Sequence, residues 1–81
     1  MSTTNGSGPQ TAAAVVRSEL PGTVLTVAVA PGDRVDAGDE VCLLESMKME
    51  IPVLAPAAGT VTRVLVRPGD AVATGAVVVQ L

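Results

Sequence analysis

The sequence predicts an all-β fold, a small sandwich or barrel with internal twofold symmetry, and three observations carry that expectation. Short valine-rich runs alternate with closely spaced turn signals, the pattern of antiparallel sandwiches and barrels. No window holds a sustained helical period. From Gly22 onward the chain also repeats itself. GTVLTVAVAPGDRVDAGDEVCLL (22–44) aligns without gaps to GTVTRVLVRPGDAVATGAVVVQL (59–81), 37 residues later, with twelve identities in 23 positions. Glycines fall at matching turn positions, so the two halves are expected to be related by a pseudo-twofold axis.

The elements follow in order. Residues 1–11, MSTTNGSGPQT, are polar and lack apolar periodicity. Such a segment cannot bury enough surface to offset its ordering entropy, and it reads as a flexible tail. The domain proper is expected over 12–81. Each half opens with Gly-Thr-Val leading a strand, followed by a Pro-Gly-Asp turn, a short strand with one Val, and a Gly that restarts a final strand. Proline presets the turn's φ, and glycine supplies the positive φ that a side chain resists. Val27 and Val29 share one parity while Val24 has the other, and Val61, Val64 and Val66 copy this. A bulge or sharp coil in both strands would turn all three valines inward, making Val27/Val64 and Val29/Val66 equivalent buried pairs. Cys42 aligns with Val79, which predicts a buried packing role for it.

Composition sets limits. About 70 residues can bury only a modest core, and with no Phe, Tyr or Trp it must be built from Val, Leu, Ile and Ala. The net charge is −3 and the four arginines are scattered. No basic stripe is available for phosphates and no aromatic ring for base stacking, which argues against nucleic-acid binding. No apolar stretch approaches the roughly 20 residues of a membrane span. The N-terminus lacks the basic start and apolar run of a secretory signal, so a cytoplasmic location is expected. One cysteine permits no internal disulfide. Without histidine, neither a Ser-His or Cys-His pair nor a histidine metal site can form. A self-sufficient enzyme is not expected.

The segment between the repeats carries the chemistry. Residues 45–54, from Glu45-Ser46-Met47-Lys48-Met49-Glu50 onward, are expected to form a hairpin with its tip near Met47-Lys48 and with Ile51 to Leu54 returning as a strand. Exposed apolar side chains seldom cluster unless something binds there, and methionine suits surfaces that adapt to several partners. Lys48 is the only lysine. Alone it would be an ordinary solvated side chain. Flanked by two methionines at a tip between two repeats, it reads as an amine offered to another protein's active site. Glu45 and Glu50 flank the tip, either steering a docking partner or standing as solvated strand-edge charges.

These residues resemble the biotinyl (biotin carboxyl carrier) domain family. Glu45, Met47, Lys48 and Met49 match its Glu-Ala-Met-Lys-Met hallmark, with Ser46 in place of alanine. Ala55-Pro56-Ala57-Ala58-Gly59 resembles the stretch that opens the family's second half. Glu19 departs from a common proline, and the gapless repeat leaves no room for the thumb insertion of some bacterial carriers. The resemblance spans about residues 12–81. It implies a flattened barrel or sandwich of two four-stranded antiparallel sheets, with no catalytic residue of its own. A biotin protein ligase would join biotin to Lys48 as an amide, with Glu45, Ser46, Met47 and Met49 around it. A biotin carboxylase using ATP and bicarbonate would load the carboxyl group, and a carboxyltransferase would pass it to an acyl-CoA or keto acid. Biotin would supply the chemistry while the protein presents and tethers it, the isolated chain being a monomer. Two alternatives are a lipoyl carrier, whose Asp-Lys-Ala type of tip differs from Met47-Lys48-Met49, and a structural adaptor of the same fold without a prosthetic group.

Overall fold

The computed structural model describes residues 14–81, and the tail expected over 1–11 lies outside them. Nine strands run in chain order: β1 (Val15–Arg17), β2 (Gly22–Val27), β3 (Arg34–Val35), β4 (Glu40–Ser46), β5 (Met49–Leu54), β6 (Gly59–Thr60), β7 (Arg63–Val64), β8 (Ala71–Val72) and β9 (Val77–Gln80). The described residues contain no helix, and every strand pairing is antiparallel.

The ladders are a four-stranded sheet ordered β5-β4-β2-β8, a three-stranded sheet β1-β9-β7 and a two-stranded pair β3-β6. The first is one of the two four-stranded sheets expected. The second is divided because the counterpart of β2 breaks at Val61–Thr62 into β6 and β7. In β2 the same place holds a register shift between Val24 and Thr26. A bulge there bends the strand so that its ends serve different partners, and in the second half the bend is sharp enough to interrupt the ladder. Rejoined, β1, β9, β7 with β6, and β3 make the second sheet of four.

The register is twofold throughout. Gly22 and Thr23 face Val72 and Ala71 as Gly59 and Thr60 face Val35 and Arg34. Val27 and Thr26 face Cys42 and Leu43 as Val64 and Arg63 face Val79 and Gln80. The Pro-Gly-Asp turns lock the halves together. Gly32 and Gly69 hold φ of 97° and 95°, and the Asp33 and Asp70 carboxylates each accept a backbone N–H, from Ala30 and Arg67 at 2.9 Å. The Val24 and Val61 amides then donate to Asp70 and Asp33 carbonyls, both at 2.8 Å.

The symmetry also reaches further than the sequence repeat. β5 lies on β4 through Pro52 on Leu43 and Val53 on Cys42, just as β1 lies on β9 through Val15 on Gln80 and Val16 on Val79. The same 37-residue offset therefore relates β1 to the end of β5. Between 15–21 and 52–58 only Val16 and Val53 are identical, too little to reveal it.

The core is aliphatic. Val16, Val24, Val41, Leu44, Val61, Val78 and Val79 are fully buried, and so is Cys42, as its alignment with Val79 predicts. Burial pushes the Cys42 thiol above its usual pKa, with the Glu40 charge adding to the effect. The valine pairing needs a correction. Val27, Val29 and Val64 are only half-buried, packed against the core, while Val66 is buried. β2 and β7 end at Val27 and Val64, where the chain leaves its ladder and part of each side chain stays open to solvent. The matched pairs at the centre are Val24/Val61 and Val41/Val78. Val41→Ala and Val78→Ala should each cost about 2 kcal/mol through lost burial and a residual cavity. In a domain of this size that lowers Tm by roughly 8–16 °C. Thermal unfolding should give matching losses, and unequal ones would show that the two halves do not pack alike.

The topology fixes the two ends. β1 starts beside Leu81, whose N–H donates to the Ala14 carbonyl at 2.9 Å, and leads to Gly22 under the β4–β5 hairpin. β5 runs the other way, from the hairpin to Gly59, which packs on the Leu81 side chain. Six strand residues span about 20 Å, so the hairpin tip and Leu81 stand at opposite ends.

Candidate functional site

The tip is a two-residue hairpin turn. Ser46 and Met49 form its last cross-strand pair, and Met47 and Lys48 make the turn with φ of 55° and 65°. Positive φ at both central residues marks a type I′ turn, whose twist matches the flanking strands and which normally employs Asn-Gly. Met and Lys carry a Cβ that crowds the backbone in this conformation, at about 1 kcal/mol each. They are the only described non-glycine residues with positive φ. Strain is thus concentrated at the residues singled out by the sequence.

The expected site residues all belong to this hairpin, but they do not play alike. Met47 is 89% exposed and Met49 63%, and Lys48 is exposed between them. Glu45 and Glu50 are exposed and directly opposite each other across the strands, where like charges destabilise a sheet. Ser46 is the exception, being buried. Its hydroxyl donates to the Pro21 carbonyl at 2.7 Å, tying the last rung of the hairpin to the corner between β1 and β2. The alanine usual at this position in the resembling motif has no such hydroxyl.

The residue that sequence reasoning missed is Gly22. A Cβ built there would lie 2.5 Å from the Glu45 carbonyl oxygen, so β2 passes hard against the foot of the hairpin. At its repeat counterpart Gly59 the nearest contact is the Leu81 side chain at 3.4 Å, an ordinary distance. The repeat marked both glycines alike, and only the hairpin distinguishes them.

The arrangement offers one primary amine on a strained, anchored turn, with two bare thioether side chains beside it. Among the described residues no group of three or more His, Cys, Asp or Glu is placed to hold a metal. Nor is any described helix long and apolar enough to cross a membrane.

Residues 11–81 match the family described as Biotin-requiring enzyme. The chain belongs to this family. The biotinyl domain is 59% identical over 44 residues to the biotinylated protein TB7.3 homolog of Mycobacterium leprae, a match covering 54% of this chain and 62% of that protein. It is 42% identical over 67 residues to the mitochondrial propionyl-CoA carboxylase alpha chain of Homo sapiens, covering 83% of this chain and 9% of the relative. Among solved structures, the urea carboxylase of Kluyveromyces lactis superposes with a TM-score of 0.78 at 39% identity. That match covers 83% of this chain and 6% of the carboxylase. The chain thus spans about three-fifths of the first relative and a small fraction of the two carboxylases. Its structural likeness is to a small part of much larger carboxylases.

Proposed function

We propose that Lys48 is the attachment point of a covalent biotin, and that the chain carries a carboxyl group between a biotin carboxylase and a carboxyltransferase. The observation behind this reading is the turn itself. Lys48, the sole lysine, is exposed in a strained turn at the end of a hairpin anchored by Ser46. An acyl-adenylate of biotin, made by a biotin protein ligase, would meet a solvent-exposed primary amine. Attack forms the amide bond, expels AMP and releases the amine's proton. Biotin, once bound, supplies a ureido nitrogen able to accept and release a carboxyl group. The protein's own part is presentation: the β4–β5 hairpin projects the arm, and the rigid barrel keeps Leu81 at the far end.

The likeness to biotinylated proteins and carboxylase chains supports biotin over lipoate, as does the Met47-Lys48-Met49 tip. It gives the structural adaptor no support. Opposed Glu45 and Glu50 support a docking role over a merely solvated one, since the pair costs stability until a cationic partner approaches. A cytoplasmic setting and a monomeric isolated chain belong to the same proposal. Intact mass of the chain co-expressed with a biotin protein ligase tests it. One biotinyl group, biotin less water, is expected, localised to Lys48 by peptide mapping. An octanoyl or lipoyl increment, or none, overturns it.

The methionines yield a separate expectation. Both are exposed, so Met49→Ala should change stability by less than about 0.5 kcal/mol. Asparagine tolerates the left-handed region, so Met47→Asn should raise stability by up to about 1 kcal/mol. Both should slow carboxylation or transfer at the partner enzymes. Thermal unfolding set beside single-turnover carboxylation checks this, and a large stability loss with normal turnover would show that the methionines serve the fold and not the partner enzymes.

A further inference from the structure

The largest departure from twofold symmetry lies beside the hairpin. The corner between β1 and β2 reads Ser18-Glu19-Leu20-Pro21, while its counterpart after β5 reads Ala55-Pro56-Ala57-Ala58. The larger side chains wall a groove of about 230 Å³ against β5, lined among others by Arg17, Glu19, Leu20, Leu44, Ile51 and Leu54. Leu20 is 41% exposed and Leu54 49%, so apolar surface lies open there. The groove begins at the foot of the tip. Pro21, next to Leu20, accepts the Ser46 hydroxyl, and Met49, Ile51 and Val53 alternate along one face of β5.

We infer that this groove is a docking site for the ring system of the Lys48-borne biotin, a retracted position for the swinging arm. The inference rests on the proposed attachment at Lys48. Pockets for drug-sized ligands run to about 300–1,000 Å³, so this groove suits something smaller, such as a bicyclic ring on a tether. Reach is adequate, since three strand residues from Lys48 to Ile51 span about 10 Å, within an extended lysine plus valeryl chain. The chemistry is complementary too. A ureido group offers one carbonyl acceptor and two N–H donors beside an apolar thioether ring. Arg17 and Glu19 are the two charged residues lining the groove. Arg17 spends one N–H on the Gly75 carbonyl at 2.9 Å, leaving four of its five for other acceptors. The Glu19 carboxylate accepts only. A ureido nitrogen that has taken up a carboxyl group has lost its N–H and sets a negative charge beside Glu19.

Amide spectra of the full chain with and without biotin test this. The amides of Ser18, Glu19, Leu20, Ile51 and Leu54 should shift on biotinylation, and the shifts should vanish in an Arg17→Gln/Glu19→Gln double variant. Capture of that biotinylated variant by avidin should run about threefold faster than wild type, as expected when an arm docked about two-thirds of the time is freed. Shifts confined to Met47–Glu50, with equal capture rates, overturn the groove while leaving attachment at Lys48 intact. A chain that takes no biotin overturns the attachment and this inference with it.

Discussion

Lys48→Arg, co-expressed with a biotin protein ligase, is expected to fold normally and to carry no biotin. Arginine keeps the positive charge and a long, solvated side chain, so the exposed turn loses no packing, and stability should stay within about 0.5 kcal/mol of wild type. Its guanidinium stays protonated and has no free amine lone pair with which to attack an acyl-adenylate. The chain holds no second lysine, so no neighbouring side chain can take over. Avidin blotting should fall from full signal to none, with intact mass unchanged from the bare polypeptide and Tm within a few degrees. Biotin persisting on this variant would place attachment elsewhere and remove the basis for reading the hairpin as the site.

Much of this architecture is legible in the sequence, and what is not has physical causes. The Pro-Gly-Asp turns and the matched glycines announce the two halves because those turns require those residues. The parity fault at Val24 and Val61 announces the bulge, although not that the second copy splits into β6 and β7. The equivalence of β1 with the end of β5 is hidden because edge strands need only one inward apolar residue at a given point. Val16 and Val53 meet that need, leaving the rest of each segment free to diverge. At the site, Lys48 stands out by composition. The type I′ turn does not, because its usual Asn-Gly signal is replaced by Met-Lys, and the strain shows only in the backbone. Ser46 reads in sequence as a small replacement for alanine, and its bond to Pro21, 25 residues away in the chain, has no local signature.

Gly22→Ala against Gly59→Ala isolates what the hairpin demands of the scaffold. The two glycines are equivalent in the repeat and pair equivalently, with Val72 and Val35. Symmetry alone therefore predicts equal effects. The contacts predict otherwise. At Gly22 the new methyl group meets a backbone oxygen at 2.5 Å and the Ser46 Cβ at 3.3 Å. A carbonyl in the β4 ladder cannot rotate away, so β2 or the foot of the hairpin must shift. Overpacking of this kind costs about 1–3 kcal/mol, and contact with backbone belongs at the upper end, roughly 3 kcal/mol. At Gly59 the methyl group meets a flexible leucine at 3.4 Å, and the change should stay under about 1 kcal/mol. Thermal unfolding should thus show Gly22→Ala lowered by roughly 12–24 °C and Gly59→Ala by only a few. Displacing the foot also strains the Ser46–Pro21 bond that orients the turn. Below its lowered Tm, still folded, Gly22→Ala should therefore be biotinylated more slowly than wild type, while Gly59→Ala matches it. Equal stability losses, or a folded Gly22→Ala biotinylated at the wild-type rate, would show that the approach of β2 to the hairpin does not position Lys48.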